Sequence, residues 1–103
     1  MTLDVFSPFS LDDQVAIVTG ASGGLGRRFA QVLHGAGATV VVAARRLDRL
    51  DELAAELGDR VIPVACDVSV DADCEALVAR ALEVTGTIDL LVNNAGIGSP
   101  VPA

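Results

Sequence analysis

Four glycines fall within seven residues in the run Thr19-Gly20-Ala21-Ser22-Gly23-Gly24-Leu25-Gly26. A turn that only reverses the chain needs one or two. Four of them, placed after a β-branched run and at the opening of a helix-like segment, fit a different task. Bare backbone N–H groups at a helix N-terminus, with no Cβ in the way, can take up a pyrophosphate. The spacing is T-G-x-x-x-G-x-G, distinct from the general G-x-G-x-x-G pattern. Gly35-Ala36-Gly37 follows a helix instead of a strand and reads as punctuation. His34 is the only histidine, with no clustered acid or thiol, and is expected as a surface residue favoured by a helix C-terminus. Cys66 and Cys74 are eight apart, which fits neither a CxxC redox pair nor a zinc knuckle. Both are read as reduced, buried small hydrophobes. No metal motif is present. The chain contains no Lys and no Tyr, so it cannot by itself run a mechanism that needs either.

The elements that must carry these residues follow from the spacing of apolar positions. Residues 1–13 read as an irregular lead-in, with Phe6 and Phe9 available to pack on the domain, and residues 14–103 as a partial dinucleotide-binding domain. A first strand spans 14–19. A helix over about 25–34 carries Leu25, Phe29, Val32 and Leu33 at helical spacing. A second strand covers 39–43, and a second helix carries Leu47, Leu50, Leu53, Ala54 and Leu57 before Gly58. The third strand is 61–65, where Pro63 removes a ladder donor and favours an edge. The third helix spans about 69–85. Ser69 is its expected N-cap, Asp71, Asp73 and Glu75 lie near its positive end, and Cys74, Leu77, Val78, Ala81 and Leu82 form its buried face. Residues 88–93 make a fourth strand. The alternation β-α-β-α-β-α-β with short connections predicts an α/β fold, a Rossmann-like doubly wound parallel sheet represented by its N-terminal half.

Composition agrees. Of the 103 residues 51% are hydrophobic and only 3% aromatic, so the core must be aliphatic, as suits parallel strands covered by helices. The net charge of −7 leaves no basic face for nucleic acid or an anionic membrane. An anionic ligand must therefore be held by local geometry. Asp4, Asp12 and Asp13 interrupt the N-terminal segment, no signal peptide is visible, and no apolar run approaches the roughly 20 residues of a span. A cytoplasmic location is expected.

T-G-x-x-x-G-x-G resembles the short-chain dehydrogenase/reductase family, and two further segments match it in order. Asn93-Asn94-Ala95-Gly96 looks like that family's N-N-A-G, and Asp67-Val68 like its adenine-contacting Asp–hydrophobic pair. The resemblance covers residues 11–98. It implies that Gly20, Ser22, Gly23, Gly24, Leu25 and Gly26 surround the pyrophosphate and adenosine ribose. It also implies that Asp67 accepts a hydrogen bond from the adenine amino group while Val68 lines the pocket, and that Asn94, Ala95 and Gly96 lie along the cofactor. Two alternative readings stay open: the Asn93 and Asn94 amides as ties between strands, and Asp67 as a cap on nearby N–H groups.

The end of the second strand bears on which nicotinamide cofactor is taken. NAD sites place a carboxylate about 20 residues after the glycine loop, whereas NADP sites place an Arg nearby. Here Ala44 stands at the carboxylate position and Arg45 follows, so NADP(H) is expected as preferred, with NAD(H) possible. Arg46 is read as part of a solvated helix start, pairing with Asp48 or Glu52. The basic residue that some NADP-preferring relatives carry before the second motif glycine is replaced by Gly23. By resemblance, hydride transfer uses a Tyr tuned by a Lys, together with a Ser and often a further Asn, all from segments beyond the fourth strand. No catalytic residue is therefore assigned here. The expected function is an NADP(H)-dependent oxidoreductase interconverting a small alcohol and carbonyl, homo-oligomeric when complete, of which this chain is an inactive fragment. The alternative is a non-catalytic dinucleotide-binding module. A sugar-nucleotide epimerase or dehydratase would usually show T-G-x-x-G-x-x-G, which is not the spacing here.

Overall fold

A computed structural model describes residues 10–94. The element order is β1 (Val15–Thr19), α1 (Gly24–Gly35), β2 (Thr39–Ala44), α2 (Leu47–Leu57), β3 (Val61–Ala65), α3 (Asp71–Thr85) and β4 (Leu90–Asn93). The four strands form one parallel sheet in the order β3-β2-β1-β4. Pro63 lies on β3, an edge, where a missing N–H costs no central ladder bond.

The sheet has two apolar faces because the central strands are apolar at every position. Val40, Val42 and Ala44 of β2 point to one side with Val18, and the helices over them contribute Ala30, Leu50 and Leu53. Val41 and Ala43 point to the other side with Val15 and Ile17, where α3 contributes Leu77 and Ala81. Helices α1 and α2 thus cover one face and α3 the other. Covering both faces is what allows uninterrupted β-branched runs. Arg27 and Gln31 of α1 both reach the Glu56 carboxylate of α2, Gln31 at 2.9 Å. Among the described residues, no helix is long and apolar enough to cross a membrane.

Three local expectations change. Helix α3 begins at Asp71 with Val70 at the cap and no side-chain cap bond, so Ser69 is not its N-cap. The Ser69 hydroxyl and N–H are drawn instead to Asp67, as short polar side chains often prefer a local turn to a helix. On α3, only Leu77 and Ala81 are buried. Val78 and Leu82 are 43% and 40% exposed, because one helix stripe touches the sheet and its flank has no neighbour among the described residues. Strand β4 starts at Leu90 instead of 88, since the Asp89 carboxylate takes the Val15 N–H at 2.8 Å before regular pairing begins. Phe6 and Phe9 lie outside the described residues.

Candidate functional site

The glycine run occupies the step from β1 into α1. Gly20 has φ +64, a conformation that only glycine adopts without cost, and this turns the chain out of the sheet toward the helix. Gly26 has a different reason. A Cβ there would press on the Gly20 carbonyl oxygen and come within 2.6 Å of Asn94 Nδ2. Helix α1 can lie this close to the strand ends only because that carbon is missing. Gly23 is the N-cap, and among the described residues no side chain caps the first N–H groups of α1, whose first turn carries no acid. By contrast α2 and α3 both carry acids in their first turns. Among the described residues the positive end of the α1 dipole thus has neither a side-chain cap nor a first-turn carboxylate to satisfy it, the condition under which an anion is taken up.

A cavity of about 290 Å³ opens beside this step, at the carboxyl ends of three strands. It is lined by Gly20 and Ser22 after β1, Ala44 and Arg45 at β2, and Cys66, Asp67 and Val68 after β3. Five residues singled out in the sequence are thus brought together: Gly20, Ser22, Arg45, Asp67 and Val68. Gly23, Gly24, Leu25, Gly26 and Asn94 do not line it, although the helix N-terminus they build or support adjoins it. Ala95 and Gly96 lie outside the described residues.

The two arginines separate. Arg46 pairs with Asp48 at 2.9 Å, which draws the Asp48 carboxyl below its usual range. Arg45 has no ion-pair partner among the described residues and lies on the cavity wall. Asp67 is held below the usual carboxylate range, first by hydrogen bonds from the Ser69 hydroxyl and N–H, with the Arg45 charge adding to them. Its Oδ1 accepts Ser69 Oγ at 2.6 Å and Ser69 N at 3.0 Å. Burial pushes the Cys66 thiol up, with Cys74, Asp73 and Asp67 nearby adding to the effect. Cys66 is both a core residue and cavity wall, while Cys74 is only half-buried and hydrogen-bonds the Val68 carbonyl at 3.4 Å. Both thiols are free.

The N-N pair ties strands together. Thr19 Oγ1 donates to Asn93 Oδ1 at 3.1 Å, and Asn94 Nδ2 donates to the Gly20 carbonyl at 3.2 Å. Asn94 thus fastens the end of β4 to the first turn of the glycine loop. His34 sits in the last turn of α1 and donates from Nε2 to the Asp59 carbonyl at 2.8 Å. No group of His, Cys, Asp or Glu among the described residues could hold a metal. Ser69 and Asp73, whose carboxylate accepts the Asp67 N–H at 3.0 Å, were not foreseen as site residues. The signal for Ser69 was the Asp-x-Ser spacing, a turn signature, whereas the sequence marked Asp73 only as an acid at the start of the third helix.

A parallel sheet with its helices on both faces, a glycine-rich step at one strand end and a polar cavity across the neighbouring ends defines a Rossmann-like α/β fold. A sequence model of the short chain dehydrogenase family matches residues 14–103, and the chain belongs to that family. Nodulation protein G of Rhizobium sp. (strain N33) is 46% identical over 89 residues, covering 86% of this chain and 36% of that protein. Peroxisomal 2,4-dienoyl-CoA reductase of Danio rerio is 38% identical, covering 96% of this chain and 34% of that protein. Among solved structures, a 3-ketoacyl-(acyl-carrier-protein) reductase from Brucella melitensis complexed with NADH superposes with a TM-score of 0.75 at 39% identity. It covers 80% of this chain and 34% of that one. The chain spans about a third of the length of the curated relatives it matches.

Proposed function

We propose that these residues form the cofactor-binding half of an NADP(H)-dependent oxidoreductase that interconverts an alcohol and a carbonyl. The observation that carries the reading is an α1 N-terminus without a side-chain cap beside Arg45, which has no ion-pair partner among the described residues, on the wall of the adjoining cavity. The helix end suits a pyrophosphate, and a guanidinium fork suits a ribose 2′-phosphate. Ala44 leaves the wall without the carboxylate that would bond a free 2′-hydroxyl and repel a phosphate there. The Brucella relative is a complex with NADH, so the preference for the phosphorylated cofactor rests on Ala44 and Arg45 alone. The cofactor supplies the hydride. The chain supplies grip and orientation. It contains neither Tyr nor Lys, so the proton donor that the family resemblance implies is not among residues 1–103.

Calorimetric titration with NADPH and NADH tests the assignment. Arg45→Ala should weaken NADPH binding roughly 10- to 100-fold, the worth of a charged hydrogen-bonded contact, and leave NADH binding nearly unchanged. Equal loss for both cofactors would remove the basis for NADP(H).

A further inference from the structure

We propose that Ser69 is a positioning residue: it locks the Asp67 carboxylate in one orientation and so makes the site select a 6-aminopurine over a 6-oxopurine. The inference rests on the cofactor reading above and goes beyond it to the base.

If the diphosphate lies at the α1 N-terminus and the ribose phosphate at Arg45, the base falls against the end of β3. There the wall offers one acceptor, Asp67, and one exposed apolar side chain, Val68. Asp67 is fixed at three points. Its N–H donates to Asp73 Oδ2 at 3.0 Å, its carbonyl accepts the Val70 N–H at 2.9 Å, and its Oδ1 accepts both the hydroxyl and the N–H of Ser69. Oδ1 is therefore occupied, and Oδ2 has no hydrogen-bond partner among the described residues. Ser69 itself is exposed, lines no part of the cavity and does not cap α3. Every hydrogen bond found for its side chain goes to Asp67.

An ionised carboxylate only accepts. Adenine turns an amino group toward such an acceptor. Hypoxanthine puts a carbonyl oxygen in that place and moves its nearest donor one ring atom away. A carboxylate free to swing could follow that donor, and one held by two bonds to Oδ1 cannot. Selection therefore depends on the holding as well as on the charge. Buried or fixed polar groups left facing the wrong partner are how such sites reject an analogue.

The test measures affinities of the protein for NADPH and for its hypoxanthine analogue. The wild type should favour NADPH by about tenfold or more, the worth of one charge-assisted hydrogen bond. Ser69→Ala should pull that ratio toward one, mainly by weakening NADPH, and Ser69→Thr, which keeps the hydroxyl, should restore it. Asp67→Asn, whose amide both donates and accepts, should take the two nucleotides about equally. A Ser69→Ala variant that keeps the wild-type ratio, or that loses both nucleotides in equal proportion, would overturn the proposal. So would a wild-type ratio near one or a threonine variant that fails to rescue. Failure of the wild type to bind either nucleotide would sink the cofactor reading itself, a separable outcome.

Discussion

Gly26 and Asp67 show two ways in which a single residue serves this site. Gly26 serves by lacking a side chain. Any Cβ would meet a backbone carbonyl and the Asn94 amide, neither of which can retreat without opening the join between β1, α1 and β4. Gly26→Ala should cost about 1–3 kcal/mol, the usual penalty of overpacking, read as a fall in the thermal midpoint. Asp67 serves through its charge. Its carboxyl is held below the ordinary value by Ser69 first and Arg45 after, so the charged form persists as pH falls past the usual carboxylate range. The associated stabilisation is fully present above the unfolded value and is lost as pH drops through the lower, folded one. Ser69→Ala should move the Asp67 titration midpoint upward, as carboxyl carbon NMR can follow. An unmoved midpoint would show that Ser69 does not hold the carboxylate. The glycine was legible in the sequence as a member of a run. Its partner Asn94 was not legible as the reason, because contacts between residues this far apart leave no local spacing.

At the scale of elements, the polar clasp between α1 and α2 is weaker than the packing beneath it. Arg27, Gln31 and Glu56 meet at a partly exposed surface, where such pairs contribute about 0–1 kcal/mol. Leu53 is fully buried between α2 and the sheet, and truncating such a residue costs about 2–5 kcal/mol. Denaturant titrations should therefore find Leu53→Ala far more damaging than Glu56→Ala, and near-equal losses would reverse this ranking. Helix α2 and strand β3 were read to the residue, since apolar positions at clean spacing end at Gly58 and Ala65. Helix α3 was read less well. Its stripe of Cys74, Leu77, Val78, Ala81 and Leu82 is wider than the single line that reaches the sheet. Periodicity shows that a helix is amphipathic but not how many neighbours cover it.

For the whole molecule, alternation of strands and short helices was enough to place a parallel sheet, and Pro63 was enough to place β3 at an edge. Among the described residues the other edge is β4. On β4, Leu91 is 64% exposed and points to the same side as its register partner Ile17. Leu91→Lys should change folding stability by no more than about 0.5 kcal/mol while reducing self-association of the chain in sedimentation, as charges on exposed edges do. A variant that associates as strongly as the parent would show that this edge is not adhesive. Cofactor choice was legible only as far as Ala44 and Arg45, because specificity is a difference between two affinities and a sequence displays one set of residues.

Strand β1 sits between β2 and β4, and its register partner on the β4 side lies 74 residues further along, as in the contact of Val15 with Asp89. On a ribosome adding about 5–20 residues per second, β1 would wait on the order of ten seconds for its β4 neighbour. Through that interval its row of amides and carbonyls facing the vacant side is open to any passing strand. The strand that leads into the glycine-rich step is thus made well before it is flanked on both sides, and its escape from mispairing depends on how fast the intervening helices fold over it.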